Sequence, residues 1–106
     1  MKEDKPRRLL VAAPLLIAAI SLPLALELIG PNPFYGVRTD ATSLSETEWY
    51  RINGISGQVG IAVGLLGFAA NVLIVRSGLA MVSRYWACLA VLLAVAGVIV
   101  ATSLAA

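Results

Sequence analysis

Three long runs of apolar residues constrain the fold of this chain more than any other feature of its sequence. They cover residues 9–29, 55–75 and 85–105, and Glu27 is the only formal charge within them. An α-helix rises about 1.5 Å per residue, so a run of about 21 residues is roughly 31 Å long and matches the roughly 30 Å hydrocarbon core of a bilayer. We therefore predict an all-α integral membrane protein with three transmembrane helices.

The composition agrees with exposure to lipid. Hydrophobic residues make up 59% of the chain and charged residues 13%, whereas an ordinary soluble domain has about 25% charged residues. A soluble domain of 106 residues has too much surface for its volume to bury so many apolar side chains. The same length allows a single domain that covers residues 1–106.

Several function classes are disfavoured by what the sequence lacks. It contains no nucleophile–base pair, carboxylate pair or phosphate-binding loop, so we predict a protein that is not an enzyme and needs no cofactor. It has no histidine and one cysteine, Cys88, which excludes an intrachain disulfide and a His/Cys metal site. No basic stripe is interleaved with aromatic residues, so nucleic-acid binding is not expected.

The positions of Lys and Arg predict the orientation of the spans, because cytoplasmic flanks carry an excess of both residues. Between the first two spans the basic residues are Arg38 and Arg51 alone. We therefore predict that the N-terminus is cytoplasmic, and that the 30–53 loop and the C-terminus lie outside the cytoplasm. The basic residues of the predicted cytoplasmic side are Lys2, Lys5, Arg7, Arg8, Arg76 and Arg84.

Small residues recur at helical spacing along each span. Such stripes let helix backbones approach closely, which drives association in lipid. We predict that the stripe of the second span packs against that of the third as the main seam. A homodimer interface is the alternative, and both can hold; a pore lining has less support, because few stripe residues are polar. The stripes comprise Asn53, Gly57, Gly60, Gly64, Gly67 and Asn71 in the second span, Ser83, Ala87, Ala90, Ala94, Gly97 and Ala101 in the third, and Pro14, Ala18, Ser21 and Ala25 in the first.

Residues 30–53 form a polar loop between the first two spans. Its first half is irregular, since Asn32 before Pro33 favours a turn and Gly36 permits a positive φ. Irregular backbone cannot face lipid, because its amide groups would lack partners. This half must therefore lie in the headgroup layer or fold back into the mouth of the bundle.

The second half of the loop restarts a helix, because Ser45 followed by Glu48 fits a capping box. A single helix from this point to the end of the second span would be about 45 Å long, which exceeds the membrane core. We therefore predict a short amphipathic interfacial helix over residues 46–53 that bends near Gly54 or Gly57. Two aromatic residues suited to the bilayer surface lie in it, Trp49 and Tyr50.

Two charged residues near the loop have both a structural and a functional interpretation. Arg38 can anchor an anionic group, such as a lipid phosphate or a peptide carboxylate, or it can brace the loop. Glu27 can form an interfacial salt bridge or, together with Asn71, contribute to a polar path across the membrane. Candidate partners for the brace are Glu27, Asp40, Glu48, Tyr35 and Trp49.

Seven loop residues occur at the spacing of a known signature: Asn32, Gly36, Arg38, Thr39, Thr42, Trp49 and Asn53. This pattern resembles that of the SdpI-like family of bacterial membrane proteins. Two positions depart from it, because Asp40 replaces the usual proline and Gly54 replaces a frequent basic residue. The seven residues and Tyr35 are our candidates for binding a ligand or partner, or for organising the loop.

The resemblance implies a protein of the bacterial cytoplasmic membrane. The family takes its name from an immunity protein that shields a bacterium from its own secreted antimicrobial peptide and takes part in signalling. Longer members carry an additional N-terminal membrane block. Counting their spans from a cytoplasmic N-terminus places the motif loop in the cytoplasm, opposite to the charge count of this chain.

Three functions remain open. The loop can bind a membrane-active peptide or a partner protein and so provide immunity, resistance or signalling. An oligomer of the chain can form a small transporter or channel, with Glu27, Asn53 and Asn71 near the path. The small-residue faces can also dock a larger membrane complex as a structural subunit. In each case the lipid bilayer is a partner, and we expect a homo-oligomer.

Overall fold

The computed structural model describes residues 8–106 as a bundle of three antiparallel helices. They are α1 (Arg8–Ala25), α2 (Glu46–Val75) and α3 (Met81–Ala105), and the bundle measures 51 × 22 × 20 Å. Each helix is long and apolar enough to cross a membrane, and the described residues contain no strand. The prediction of an all-α chain with three membrane-spanning segments is confirmed at this level.

α1 ends four residues before the predicted boundary. The chain leaves the helix through a Schellman turn, in which the Leu28 N–H bonds the Pro23 carbonyl at 2.9 Å and the Glu27 N–H bonds the Leu24 carbonyl at 3.1 Å. Glu27 has a φ of 59°, the left-handed conformation that such a turn requires. A left-handed residue cannot continue a right-handed helix, so the predicted span to residue 29 is wrong.

α2 runs without interruption from the loop to Val75. The hydroxyl of Ser45 accepts a hydrogen bond from the Glu48 N–H at 3.1 Å, as the predicted cap requires. The reciprocal half of the capping box is absent, because the Glu48 carboxylate pairs with Arg51 at 2.8 Å instead. The prediction of a separate short helix is wrong, since residues 46–53 are the first two turns of α2.

The glycine stripe of α2 packs against α1. A Cβ atom added at Gly64 would lie 2.5 Å from the Pro14 carbonyl oxygen, and one at Gly57 would lie 2.8 Å from the Ser21 carbonyl oxygen. Only residues without side chains allow two backbones to approach so closely. The predicted α2–α3 seam is therefore wrong as the main seam, whose two faces are formed by Gly57, Gly60, Gly64 and Gly67 on α2 and by Pro14, Ala18, Ser21 and Ala25 on α1.

α3 contacts α2 through a different face from the one that its small residues predicted. Cys88, Val95 and Ser103 are its buried residues, and the hydroxyls of Ser103 and Ser56 are 2.8 Å apart. The predicted packing residues Ala90, Ala94 and Gly97 are exposed, and a Cβ at Gly97 would meet nothing within 4 Å. Small side chains alone do not identify the inward face of a membrane helix, because lipid accepts them equally well.

The α3 helix also begins earlier than predicted, at Met81. The turn before it is short, and the Arg84 N–H closes the first helical bond with the Ala80 carbonyl at 2.9 Å. Ala80 has no side chain with which to cap the helix. Arg84 lies directly before the third apolar run, and its charge had set the predicted start of the span. Its guanidinium folds back and bonds the Val75 carbonyl at 3.2 Å.

Two prolines interrupt the hydrogen-bond ladder of α1, and other elements supply donors beside each gap. A proline has no N–H for the carbonyl four residues earlier and opens the ladder there. The Asn71 amide donates to the carbonyl of Val11 at 3.0 Å, three residues before Pro14. The Tyr35 hydroxyl donates to the carbonyl of Ile20, three residues before the second proline, Pro23.

Candidate functional site

The loop between α1 and α2 begins with a turn that the Asn32 side chain organises. Its Oδ1 accepts hydrogen bonds from the N–H groups of Phe34 at 2.9 Å and Tyr35 at 2.7 Å. Its Nδ2 donates to the carbonyls of Gly30 at 2.8 Å and Tyr35 at 3.0 Å. An amide has two donors and about two acceptor positions, so Asn32 spends its whole capacity on the turn.

The loop then passes over the N-terminal turns of α2, where Asn53 holds it. The Asn53 side chain is 1% exposed. Its Oδ1 accepts from the Val37 N–H at 2.5 Å, and its Nδ2 donates to the carbonyls of Val37 at 3.2 Å and Trp49 at 3.1 Å. The side-chain amide thus pairs with both backbone groups of Val37, as a neighbouring strand would.

Gly36 is required at this crossing for two reasons. Its φ is 106°, which side-chain-bearing residues rarely adopt. A Cβ atom at this position would also lie 2.7 Å from the Oδ1 of Asn53 and 3.2 Å from the Trp49 ring. The prediction that Gly36 takes a positive φ is confirmed, and the close approach to Asn53 adds a steric reason.

Trp49 connects the loop to the end of α1. Its ring is 3% exposed, and its indole N–H donates to the Ile29 carbonyl at 2.9 Å. The prediction that Trp49 belongs to an aromatic belt in the lipid interface is wrong, because the ring is buried within the protein. The bond from Tyr35 to Ile20 attaches the turn to α1, and the Trp49 bond attaches α2 to the segment that follows α1.

Thr39 and Thr42 close a second turn by bonding each other. The Thr39 N–H donates to the Thr42 hydroxyl at 2.8 Å, and the Thr42 N–H donates to the Thr39 hydroxyl at 3.3 Å. Thr42 is 4% exposed and also donates its hydroxyl proton to the Thr39 carbonyl at 2.9 Å. This turn delivers the chain to Ser45, which caps α2.

Arg38 carries an exposed side chain, unlike the other motif residues that bond within the loop. Its guanidinium donates to the carbonyl of Pro33, and among residues 8–106 it has no acidic partner. Arg38 therefore does brace the loop, but it bonds a backbone carbonyl. The predicted partner, an acidic residue or an aromatic ring, is wrong. The bond holds Arg38 beside the peptide that carries Phe34, whose side chain is 93% exposed.

The acidic residues near the loop are arranged differently from the prediction. Glu27 is exposed and forms no ion pair within the described part of the chain, so its predicted salt bridge is wrong. Its side chain instead lies over Gly54, where an added Cβ would be 4.0 Å from the Cγ of Glu27. Within residues 8–106 no group of three or more His, Cys, Asp or Glu side chains could hold a metal.

The model of one protein family matches residues 29–105, which comprise the loop, α2 and α3. The chain belongs to the SdpI/YfhL protein family. A comparison with curated proteins finds no match, and a comparison with solved structures finds none either.

The loop signature of the SdpI/YfhL family has a structural explanation in this chain. Six of its seven residues are engaged in the fold of the loop or in its attachment to the helices. Arg38 differs, because its bond to Pro33 leaves most of its guanidinium donors free. The six engaged residues are Asn32, Gly36, Thr39, Thr42, Trp49 and Asn53.

The two departures from the family pattern lie where the structure tolerates them. Asp40 is exposed in the turn closed by Thr39 and Thr42. Gly54 is buried beneath Glu27.

Sequence reasoning missed two polar contacts between helices. They are the pairing of Ser56 with Ser103 and the hydrogen bond from the Asn71 amide to the Val11 carbonyl of α1. Polar residues inside apolar runs are the signal that could have found both, since such groups seek partners in lipid.

Proposed function

We propose that this SdpI/YfhL family protein is a binding protein, whose loop captures a membrane-active peptide or a partner protein at the membrane surface. Such capture would provide immunity or resistance, or would start a signal. The observation that supports this most is the placement of Arg38. The rest of the motif holds the loop in one shape, while this one cation stays exposed with free donors.

The chemistry of the exposed surface suits a peptide with both acidic and apolar groups. A guanidinium binds a carboxylate through two parallel hydrogen bonds, and it loses little freedom when it is already held in place. Phe34 and Leu44, 93% and 77% exposed, offer apolar side chains on the same loop. A terminal carboxylate or an acidic side chain would occupy Arg38, and apolar residues would cover Phe34.

Resistance of a sensitive bacterium tests the proposal. Cells that express the chain should survive a higher concentration of at least one toxin in a panel of membrane-active peptides. Arg38→Gln should weaken protection by about tenfold or more, since hydrogen bonds to charged groups contribute about 1.5–3 kcal/mol. Arg51→Gln is the matched control, because it removes the same charge from a side chain that already pairs with Glu48.

Unchanged killing across the panel would count heavily against a role in immunity. Equal protection by the wild-type chain and Arg38→Gln would remove Arg38 from the proposal. Far-UV circular dichroism of both variants in detergent ensures that a loss of protection is not a loss of fold.

The side of the membrane on which the loop acts is part of the same proposal. We place the N-terminus in the cytoplasm and the loop outside the bacterial inner membrane, because basic residues are concentrated at the other end of the bundle. Single cysteines in the loop, labelled in intact cells with an impermeant maleimide, test this placement. Cys88 is fully buried, and Cys88→Ala removes any remaining background.

A second candidate is assembly through α3, either as a homo-oligomer or as a subunit of a larger complex. It is favoured by the small residues Ala90, Ala94 and Gly97, which α1 and α2 leave exposed. Cross-linking at position 94 in membranes, followed by mild extraction, should recover a dimer or a partner. Recovery of the monomer alone would argue against assembly through this face.

A transporter or channel has less support. Asn53 and Asn71 were the candidates for a polar path, but they are 1% and 0% exposed and donate hydrogen bonds to Val37 and Val11. Proteoliposome flux that disappears in Glu27→Gln would restore this function.

A further inference from the structure

An apolar groove opens between α1 and α2 at the end of the bundle opposite the loop. The glycine stripe ends at Gly67, and beyond it α2 carries the larger side chains of Phe68 and Val72, which line the groove. The resulting groove has a volume of about 390 Å³, within the roughly 300–1,000 Å³ of sites that bind small molecules. Its apolar wall includes Val11, Ala12, Phe68 and Val72.

Two arginines line the same groove, and they give it a charge as well as a shape. Arg8 is the first residue of α1, and Arg76 directly follows α2. Both line the groove, both are exposed, and neither has an acidic partner among residues 8–106. The acidic residues of the described chain lie at the opposite end of the bundle: Glu27, Asp40, Glu46 and Glu48.

The membrane determines what can fill such a groove. The walls belong to helices that are long and apolar enough to span a bilayer, so we expect the groove to open toward lipid chains. Arginines at helix ends place their guanidinium groups in the headgroup layer, where phosphate is found. A guanidinium binds phosphate with two hydrogen bonds and carries a permanent charge.

We propose that this groove is a binding site for an anionic phospholipid. One acyl chain lies along Val11, Ala12, Phe68 and Val72, and the phosphate lies between Arg8 and Arg76. A net negative lipid is preferred over a zwitterionic one, because the two arginines face no acid in the described chain that would balance them. The site is independent of the loop and of the function proposed for it.

Native mass spectrometry of the full chain tests the site. The protein is released from a mild detergent that contains equal amounts of phosphatidylglycerol and phosphatidylcholine, and the bound lipids are counted. The wild-type chain should retain one phosphatidylglycerol in preference to phosphatidylcholine. Arg8→Gln/Arg76→Gln should reduce that preference about 25-fold, since each basic residue near an anionic lipid contributes about a fivefold factor.

Two further variants distinguish lipid binding in the groove from a general effect of the net charge of the protein. Arg51→Glu lowers the net charge by the same two units at the opposite end of the bundle and should leave the preference unchanged. Ala12→Leu fills the apolar wall and should reduce retention of both lipids without changing any charge. It also tests the site if the double arginine variant does not fold.

Three outcomes would overturn the site. Equal losses in Arg8→Gln/Arg76→Gln and in Arg51→Glu would mean that lipid follows net charge. Unchanged retention in Ala12→Leu would mean that no chain lies in the groove. Displacement of the lipid by millimolar inorganic phosphate would mean that the arginines hold phosphate without the help of a lipid chain.

Discussion

Gly64→Ala should separate α1 from α2 and destabilise the bundle. The new Cβ would lie 2.5 Å from the Pro14 carbonyl oxygen and 2.9 Å from the backbone nitrogen of Ala18. Ordinary contacts are about 3.5–4.0 Å, so the helices must move apart by about 1 Å. Both obstacles are backbone atoms, which cannot rotate away. Overpacking of this kind costs about 1–3 kcal/mol.

Gly97→Ala is the matched control, because a Cβ there meets nothing within 4 Å. The two substitutions gain the same intrinsic helix propensity, up to about 1 kcal/mol, and this gain cancels when they are compared. We therefore expect Gly64→Ala to be less stable than Gly97→Ala by about 1–3 kcal/mol. Reversible unfolding in mixed micelles of mild detergent and dodecyl sulfate, followed by far-UV circular dichroism, measures this difference.

Unfolding free energies that agree within about 0.5 kcal/mol would refute the close approach at Gly64, because ordinary surface substitutions change stability by up to this amount. A larger loss in Gly97→Ala than in Gly64→Ala would go further. It would place the tight seam on the α3 face, as the small-residue pattern had suggested.

Three further substitutions test the loop and the buried polar groups. Asn53→Leu should leave both backbone groups of Val37 without partners and lower the unfolding free energy by about 2–4 kcal/mol; amide exchange at Val37, if unchanged, would contradict this. Gly54→Lys should gain up to about 1 kcal/mol at low salt from Glu27, whose Cγ lies 4.0 Å from the new Cβ, and the gain should vanish in Glu27→Gln. Asn71→Leu should change stability by less than about 1 kcal/mol, since it loses one membrane-buried bond but also removes an Oδ1 that has no partner among the described residues; a larger loss in the same unfolding assay would argue against this balance.

The helices could be predicted from the sequence because apolar length alone decides which segments can cross a bilayer. Their ends could not be predicted so well. The turn that ends α1 has Glu27 in the left-handed conformation, whereas glycine is the residue that usually marks such a turn. α2 continues as one helix through Gly54 and Gly57, whereas its excess length over the membrane core had suggested a separate short helix before them.

The choice of helix partners was harder for a physical reason. In water, the contrast between polar and apolar side chains identifies the buried face of a helix. In lipid, that contrast is missing, and a stripe of Ala and Gly can face either another helix or an acyl chain. The stripe with Gly64 faces α1, while the similar stripe with Gly97 faces outward. Only the structure could tell them apart.

The contacts within the candidate site could not be predicted from the sequence. A pattern of residue types indicated that Asn32, Arg38 and Asn53 act together. It could not indicate that the acceptor for Arg38 is the Pro33 carbonyl, because every residue has a carbonyl and the sequence does not distinguish them. The exposed cation beside Phe34 is therefore a result of the loop fold.

The loop and the glycine seam are mechanically connected, and this connection can be tested. Tyr35 and Trp49 bond the carbonyls of Ile20 and Ile29, on α1 and on the segment that follows it. Gly57 lies close to this end of the seam, and a Cβ there would be 2.9 Å from the Cα of Ala25. A shift of α1 by about 1 Å would stretch ordinary hydrogen bonds beyond their working range of about 3.2 Å.

Gly57→Ala should consequently loosen the loop without altering any loop residue. Limited trypsin digestion in detergent should then cleave faster after Arg38, because an opened loop presents its backbone to the protease. Gly97→Ala should be cleaved at the wild-type rate, since it leaves the seam intact. Equal rates in both variants would mean that the loop keeps its shape without α1, and that the bonds to Ile20 and Ile29 contribute little to holding Arg38 in place.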